Sequence, residues 1–224
     1  MTKEIKTMKD VKKNFNSIIN NINYNKLNIN KFGLPEQIQI ELNKQDINNI
    51  NLQPFFKDVL KIEILILFKY LEINENKPIN NSYLEQIKIK IKAQRKEKTK
   101  YFVFRIDYHH YTDSGLFPHP KWHIQFNDRE LDELNKDQFG NIIFLDTPRF
   151  FFYPLDTILT IDFILHNFKP QIREELIKTR NYSKIVKEHQ TFFWKPFFNT
   201  IYKYFETSSS ENKKEAQKFL PGLV

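Results

Sequence analysis

Residues 87–92 constrain the fold more than any other segment, because isoleucine and lysine alternate strictly along them. Successive side chains of a β-strand point to opposite faces, so this alternation predicts a strand with a buried isoleucine face and a polar lysine face. The same period recurs over 101–111 and 119–126, which are separated by turn-forming residues at 112–118. Neighbouring strands of this kind predict an antiparallel sheet.

Further strands are predicted over 140–146 and 149–153, which brings the sheet to about four strands. Residues 35–50 fit either of two structures. Ile38 and Ile40 alternate with polar residues as in a strand, whereas Pro35 is a common first residue of a short helix. Both alternatives stay open for this segment.

Helices are predicted on both sides of the sheet in the sequence. Apolar residues recur at helical spacing over 11–22 and over 53–74. The helix predicted over 182–205 is interrupted at Pro196 in this prediction. The C-terminal helices are predicted over 155–168, 171–180 and 182–205. The predicted class is α+β, with N-terminal helices, a central antiparallel sheet and C-terminal helices packed on it.

A chain of 224 residues suits one large domain, or one domain with a helical appendage. Residues 1–80 are predicted as a mainly helical N-terminal region. Residues 81–224 are predicted as an α+β domain, with the sheet over 84–153 and the helices over 155–219. A single domain that contains both regions is the alternative.

Composition narrows the class of protein. The chain has no cysteine, which excludes disulfides and thiolate metal sites and is typical of a reducing compartment. The charged N-terminus predicts no signal peptide, and the longest apolar run, 64–68, is far shorter than a span of roughly 20 residues. We therefore expect a soluble, cytoplasmic protein without a membrane partner. The net charge of +8 favours phosphate-rich partners such as nucleic acid.

The strands over 101–111 and 119–126 share a polar face that is the first candidate site. If they pair in register, these side chains gather on it: Arg105, Asp107, His109, His119, Lys121 and His123. Asp162 and His166 share a face of the apolar helix, where a buried carboxylate needs a partner such as Arg or His from the sheet. Arg149, at the edge of the last strand, is a further candidate.

The chemistry of this cluster stays open. Two histidines acting as acid and base, beside a cation that stabilises a pentavalent phosphate, would make a metal-independent ribonuclease-type site. Histidines with Asp107 or Asp162 would instead ligate a divalent metal, although His119 and His123 lie about 13 Å apart along an ideal strand. The structural alternative is a buried ion-pair network. No cofactor is otherwise predicted. The predicted catalytic residues are Arg105, Asp107, His119, His123, Arg149 and Asp162.

A basic hairpin is the second candidate surface. Its cations are predicted to follow a phosphate backbone. The alternative is a sheet edge that lysines protect against aggregation. The predicted nucleic-acid-binding residues are Lys88, Lys90, Lys92, Arg95, Lys96, Lys98 and Lys121.

The segment from Phe192 to Phe205 is rich in aromatic residues. Their i, i+4 spacing favours core packing or a protein interface over stacking on bases. A protein partner or a homo-oligomer is therefore predicted through the C-terminal aromatic helices. Glu188 and His189 stand apart from the other polar residues and are predicted to lie at the surface.

Four short motifs resemble an uncharacterised bacterial family. They are Arg-Ile-Asp-Tyr at 105–108, His-Pro-Lys-Trp-His at 119–123, Pro-Arg-Phe at 148–150 and Ile-Asp-Phe-Ile-Leu-His-Asn-Phe at 161–168. The resemblance covers residues 101–168, and families of this kind are found among phage-defence and mobile-element genes. It implies that setting and no activity, and it marks the same six residues as the predicted catalytic site.

Three functions follow as hypotheses. The leading one is a component of a bacterial phage-defence or toxin-like system that contacts nucleic acid, with metal-independent ribonuclease-type chemistry as its enzymatic form. The second is a non-catalytic protein-interaction subunit of a defence complex with a structural polar cluster. The third is a sensor of a nucleotide or small phosphate, because a pocket lined by His and Arg suits a phosphate ligand. Whether the protein is an enzyme stays open.

Overall fold

An antiparallel meander forms the centre of the protein, seen here in a computed structural model. The structure describes residues 5, 7–49, 59–71, 73, 79, 83–95, 99–108, 120–126, 150–207 and 209–220. The strands are β1 (Lys26–Ile29), β2 (Pro35–Leu42), β3 (Val59–Tyr70), β4 (Leu84–Arg95), β5 (Thr99–Tyr108), β6 (Trp122–Phe126) and β7 (Phe150–Phe151). Each strand pairs with the next along the chain. Within the described residues the sheet thus has six strands of four residues or more, not about four, and β7 adds a two-residue seventh.

Helices lie on both sides of the sheet in the sequence, so the predicted α+β class is confirmed. They are α1 (Met8–Ile19), α2 (Lys44–Asn49), α3 (Thr157–Phe168), α4 (Pro170–Lys178), α5 (Arg180–Glu206) and α6 (Ser210–Gln217). A capping box formed by Thr7 and Asp10 begins α1, which buries Val11, Phe15 and Ile18. None of the helices in the described part of the chain is long and apolar enough to cross a membrane.

The segment 59–70 is a strand, so the predicted helix over 53–74 is wrong. Ile62, Ile64 and Ile66 are buried at alternate positions. Leu65 and Leu67, at the positions after Ile64 and Ile66, filled in the pattern and made it resemble a helix. Ile64 lies opposite Ile40 of β2 and Ile91 of β4, so pairing with two distant segments selects the strand. Local periodicity carries no information about such partners.

Two other predictions are resolved by the secondary structure. Residues 35–50 contain both of the open alternatives, because β2 is followed directly by α2. The helix α5 continues through Pro196, so the predicted interruption there is wrong. A proline removes only one hydrogen bond from a helix of 27 residues. The strand predicted over 140–146 lies outside the described residues.

The N-terminal region contributes β1, β2 and β3 to the sheet, so its predicted mainly helical character is wrong. β3 pairs with β4 along nearly its whole length, and the sheet continues across residue 80. The division of the chain into units 1–80 and 81–224 stays a prediction.

The two faces of the sheet differ in what covers them. Ile66, Ile89 and Phe104 form one cross-strand row, and Phe104 packs edge-on against Phe163 of α3 with 6.4 Å between ring centroids. We call this the helix face, and its apolar residues share one core with α1, α3 and α5. The adjacent row of Leu67, Lys88 and Arg105 belongs to the opposite face, which we call the polar face.

Candidate functional site

Three of the predicted catalytic residues meet on the polar face. Asp107 of β5 lies directly opposite His123 of β6, and Arg105 lies opposite Gln125. Side chains of such cross-strand pairs are neighbours, because their Cβ atoms are about 4.5–5.5 Å apart. The predicted gathering of side chains on one surface is therefore found for Arg105, Asp107 and His123, whereas His109 lies outside the described residues.

The contacts within this group, the sheet cluster, are loose. The Arg105 Nη2 group donates to Gln125 Oε1 at 2.8 Å but lies 3.8 Å from Asp107 Oδ2. His123 Nε2 is also 3.8 Å from that oxygen, and the other ring nitrogen, Nδ1, is 3.2 Å from the carbonyl oxygen of Pro120. A carbonyl oxygen only accepts, so Nδ1 carries a proton and donates to Pro120.

The members of the sheet cluster differ in how much of each side chain is exposed. The His123 side chain has no exposed area, whereas that of Arg105 is 26% exposed. Asp107 Oδ1 and Arg105 Nε have no hydrogen-bond partner among the described residues. Arg105 is therefore the member through which this cluster can reach a ligand, and His123 cannot touch a substrate in this arrangement.

Asp162 lies on the other side of the sheet, so the predicted pairing with Arg or His from the sheet is wrong. The Arg173 guanidinium of α4 donates to both Asp162 oxygens, at 2.7 and 3.1 Å, and the Tyr182 hydroxyl of α5 donates at 2.8 Å. The Asp162 carboxylate raises the pKa of Arg173, and burial followed by that carboxylate raises the pKa of Tyr182. His166 is exposed. The partners of Asp162 come from the helices because α3 faces α4 and α5 at this point.

The other two predicted catalytic residues, His119 and Arg149, lie outside the described residues. Among the residues that the structure describes, no group of three or more His, Asp or Glu side chains is placed to hold a metal ion. The prediction that no cofactor is required, with a divalent metal as the alternative, is not tested by this finding.

Three lysines of the predicted basic hairpin stand on the polar face at alternate positions of β4: Lys88, Lys90 and Lys92. Lys88 is opposite Arg105, which joins the lysine row to the sheet cluster. Glu63 of β3 lies 3.7 Å from Lys92 Nζ and 3.0 Å from Lys61 Nζ, and the hydrogen bond from Lys61 lowers the pKa of Glu63. The side chains of the remaining hairpin cations, Arg95, Lys96 and Lys98, lie outside the described residues.

Lys121 does not join these lysines, contrary to the prediction. Its ammonium lies 5.4 Å from the ring centroid of Tyr108 and 5.5 Å from that of Phe219, and its backbone N–H donates to Lys218 at 2.7 Å. Tyr108 belongs to the core of the helix face, so Lys121 points to that side. Burial, followed by the charge of Lys218, lowers the pKa of Lys121.

A buried network around Asp156 was missed by sequence reasoning. One carboxylate oxygen caps α3 by accepting from the Leu159 N–H at 2.8 Å. The other accepts from the Tyr83 hydroxyl at 3.2 Å and from Nδ1 of His189. Asn14 of α1 donates to Nε2 of the same ring at 3.0 Å. His189 has no exposed area, so its predicted surface position is wrong, and an N-cap aspartate before the apolar helix was the available signal.

A cleft of about 1100 Å³ opens between α5 and the ends of β5 and β6. Its walls carry aromatic rings, including those of Trp122, Phe192 and Phe197. Three lysines also line it, namely Lys121, Lys195 and Lys203. We call it the aromatic cleft. It joins residues far apart in sequence, so no local pattern indicated it.

The C-terminal aromatic residues divide between core and surface. Phe193 and Phe197 are buried, as core packing predicts. Phe198, Tyr202 and Phe205 are 53%, 58% and 70% exposed. Their spacing puts them on neighbouring turns of one side of α5, and they form an exposed aromatic stripe.

Comparison of the chain with family models, with curated proteins and with solved structures found no match. The resemblance of residues 101–168 to a bacterial family therefore stays a prediction, and function has to be argued from the geometry above.

Proposed function

We propose that the protein contacts nucleic acid through the polar face, with the lysines of β4 as the central contact. The observation that carries this proposal is the row of Lys88, Lys90 and Lys92, with Arg105 beside it. Alternate residues of a strand are about 6.6 Å apart, so the ammonium groups form a regular line of positive charge. Such a line suits a phosphate backbone, whose recognition by lysine and arginine does not depend on base sequence.

The charge balance of the polar face supports this role. Glu41 and Glu63 hold Lys61 at 2.7 and 3.0 Å, and Glu63 also lies 3.7 Å from Lys92 Nζ, so these acidic groups are engaged at the β2–β3 side of the face and offset part of the charge at the Lys92 end of the row. On β5, Arg105 occupies the position opposite Lys88. The net charge of +8 adds a long-range attraction for polyanions.

The proposal concerns binding and not cleavage. The ribonuclease-type hypothesis relied on His119 and His123, and the His123 side chain is fully buried. A general acid or base must come within hydrogen-bond reach of the group it serves. The setting in a phage-defence or toxin-like system is part of the proposal and relies on the sequence resemblance alone.

The test is the affinity of the double variant Lys88→Gln/Lys90→Gln for fluorescently labelled single-stranded RNA and duplex DNA, measured by anisotropy at several salt concentrations. Each lost phosphate contact should lower the slope of log K against log[salt] by about 0.7–0.9. The matched control is Lys178→Gln/Lys187→Gln, which removes the same charge from helices on the opposite side. Equal losses in both double variants, or no binding by the parent, would refute the polar face as the contact surface.

A second function, self-association through the exposed aromatic stripe, is favoured by the exposure of Phe198, Tyr202 and Phe205. We propose a second copy of the chain as the occupant, because one apolar stripe repeated about a two-fold axis is complementary to itself. Light scattering should give a dimer mass that reverts to the monomer in Phe198→Ser/Phe205→Ser. A parent that is monomeric at all concentrations would exclude this interface and leave the stripe to a different protein.

A further inference from the structure

We propose that the aromatic cleft binds a nucleotide, with the base stacked on its aromatic wall and the phosphates at its lysines. The cleft is separate from the polar face, so this inference stands or falls independently of the proposed nucleic-acid contact. Its volume of about 1100 Å³ is slightly above the usual range of small-molecule sites, about 300–1,000 Å³, so the cleft has room for a nucleotide.

The aromatic wall suits a planar ring. Phe192 of α5 is a partly exposed ring that borders the cleft, whereas Trp122 and Phe197 also border it but are each only 3% exposed. Every nucleobase has a flat π-face, so rings of this kind hold bases by stacking, without reading their identity. An aliphatic anion would leave this wall without a partner.

Lys121 is held in position for a phosphate. Its ammonium lies between the rings of Tyr108 and Phe219, 5.4 and 5.5 Å from their centroids. These cation–π contacts and partial burial replace much of the water around the charge. An incoming phosphate would add charge-assisted hydrogen bonds to this ammonium.

The charged residues of α5 that line the cleft are arranged along the helix in an order that complements a nucleotide. Glu188 borders the cleft, and seven residues later Lys195 follows, about 10 Å along the helix axis. Lys203 lies about 12 Å beyond that. A ligand with an amino-bearing base at the carboxylate end and phosphates at the lysine end would complement this order.

Glu188 gives the cleft a means of choosing a base. Its side chain is only 8% exposed, and its Oε1 atom has no hydrogen-bond partner among the described residues. The nearest cation, Lys184 Nζ, is 4.0 Å from that oxygen. A buried acceptor of this kind favours a ligand that brings a donor. Adenine, guanine and cytosine carry exocyclic amino groups, whereas the donor of uracil is a ring N3–H between two carbonyl oxygens that a carboxylate repels, so we expect uridine nucleotides to bind most weakly.

The proline within α5 adds a further acceptor. Pro196 has no N–H, so the carbonyl oxygen of Phe192 lacks its helical hydrogen bond. Both residues line the cleft. A ribose hydroxyl is the donor that a nucleotide would bring to this oxygen.

The test is calorimetric titration of the full chain with ATP, CTP, UTP, adenosine and inorganic triphosphate. We expect ATP and CTP to bind more tightly than UTP, adenosine or triphosphate. Lys121→Gln should raise the Kd for ATP about tenfold, the usual effect of losing one charge-assisted contact. Lys187→Gln, an exposed lysine of α5 away from the cleft, should leave it unchanged. Glu188→Gln should reduce the preference for ATP over UTP.

Three results would overturn the proposal. One is the lack of saturable binding of ATP and CTP at concentrations up to about 1 mM. Another is binding of triphosphate as tight as that of ATP, which would leave the aromatic wall without a role. The third is an unchanged Kd in both Lys121→Gln and Lys203→Gln. Lys203 is exposed, so its variant keeps the test decisive if Lys121→Gln fails to fold by circular dichroism.

Discussion

Buried carboxylates occur on both faces of the sheet, and they differ in how completely their hydrogen bonds are made. In the helical layer, Asp162 accepts two bonds from Arg173 and one from Tyr182. Asp156 likewise uses both of its oxygens. On the polar face, Asp107 lies 3.8 Å from its nearest ionic partners, and its Oδ1 has no hydrogen-bond partner among the described residues.

This difference separates two roles that the sequence had merged into a single site. A buried carboxylate with all its bonds made holds its neighbours in place, and removing it is costly. A cluster with unmade bonds contributes less to stability and has capacity left for another ligand. We therefore assign structural work to the helical layer, and we consider Arg105 of the sheet cluster an accessory to the lysine row.

The largest expected effect is on Asp156. Asp156→Ala removes the α3 cap and leaves His189 and Tyr83 without their acceptor, so it should lower the free energy of unfolding by about 3–5 kcal/mol. The same change at Asp107, whose ionic contacts to described residues are 3.8 Å long, should cost about 1 kcal/mol. Urea unfolding at pH 7 measures both. Equal losses would show that the sheet cluster is as structural as the helical layer.

The next largest effect is expected at Arg173. Arg173→Met keeps much of the aliphatic stem but leaves the buried Asp162 charge with Tyr182 as its remaining partner, so it should cost about 2–4 kcal/mol. Arg105→Met, the matched change on the polar face, should cost about 1 kcal/mol or less because that side chain is partly exposed. If the order of the two losses were reversed, the division of roles would be wrong.

The tyrosine beside Asp162 predicts an alkaline limit to stability. Burial raises the pKa of Tyr182 above its value in the unfolded chain, so the unfolded state ionises first as pH rises past about 10. Stability is then full below pH 10 and falls above it, by up to about 1.4 kcal/mol per pH unit for one tyrosine. Burial also raises the pKa of Tyr70 and Tyr83, so Tyr182→Phe should remove one tyrosine's share of this fall, whereas Tyr24→Phe, an exposed control, should not change it. Unfolding between pH 8 and 11 measures the slope.

The smallest effect is expected at the surface of the polar face. Lys61 bridges Glu41 and Glu63 with about a third of its side chain exposed. Lys61→Gln should change the free energy of unfolding by no more than about 0.5 kcal/mol, because exposed ion pairs contribute little. A loss above 1 kcal/mol at 0.5 M salt would mean that the polar face is held by its ion pairs after all.

The regularities that sequence reasoning captured are local ones. The alternation at 87–92 was enough to predict β4 and its lysine row, and the same period predicted which residues of β5 and β6 share a face. The apolar segment before Phe168 was correctly predicted as a helix. These elements can be predicted from the local sequence because the period of a strand or a helix fixes the direction of each side chain.

Apart from the interruption predicted at Pro196, the errors concern choices made by distant partners. β3 has leucines on its polar side and isoleucines on its buried side, so its local pattern also fits a helix, and pairing with β2 and β4 selected the strand. Asp162 was predicted to pair with Arg or His from the sheet, although its helix covers the helix face and not the polar face. Lys121 was predicted to join the lysine row. It lies immediately before β6, outside the strand, and its ammonium contacts the rings of Tyr108 and Phe219 instead.

The sequence by itself determined the α+β class, the basic charge and the two-faced character of the central strands, because periodicity and composition are properties of short segments. The tertiary structure alone decided the partners of each buried charge and the existence of the aromatic cleft. Those features arise where residues far apart in the chain meet, and a buried charge is stable only when packing brings a partner to it. His189 illustrates this, since nothing around it in the sequence indicates Asp156 and Asn14.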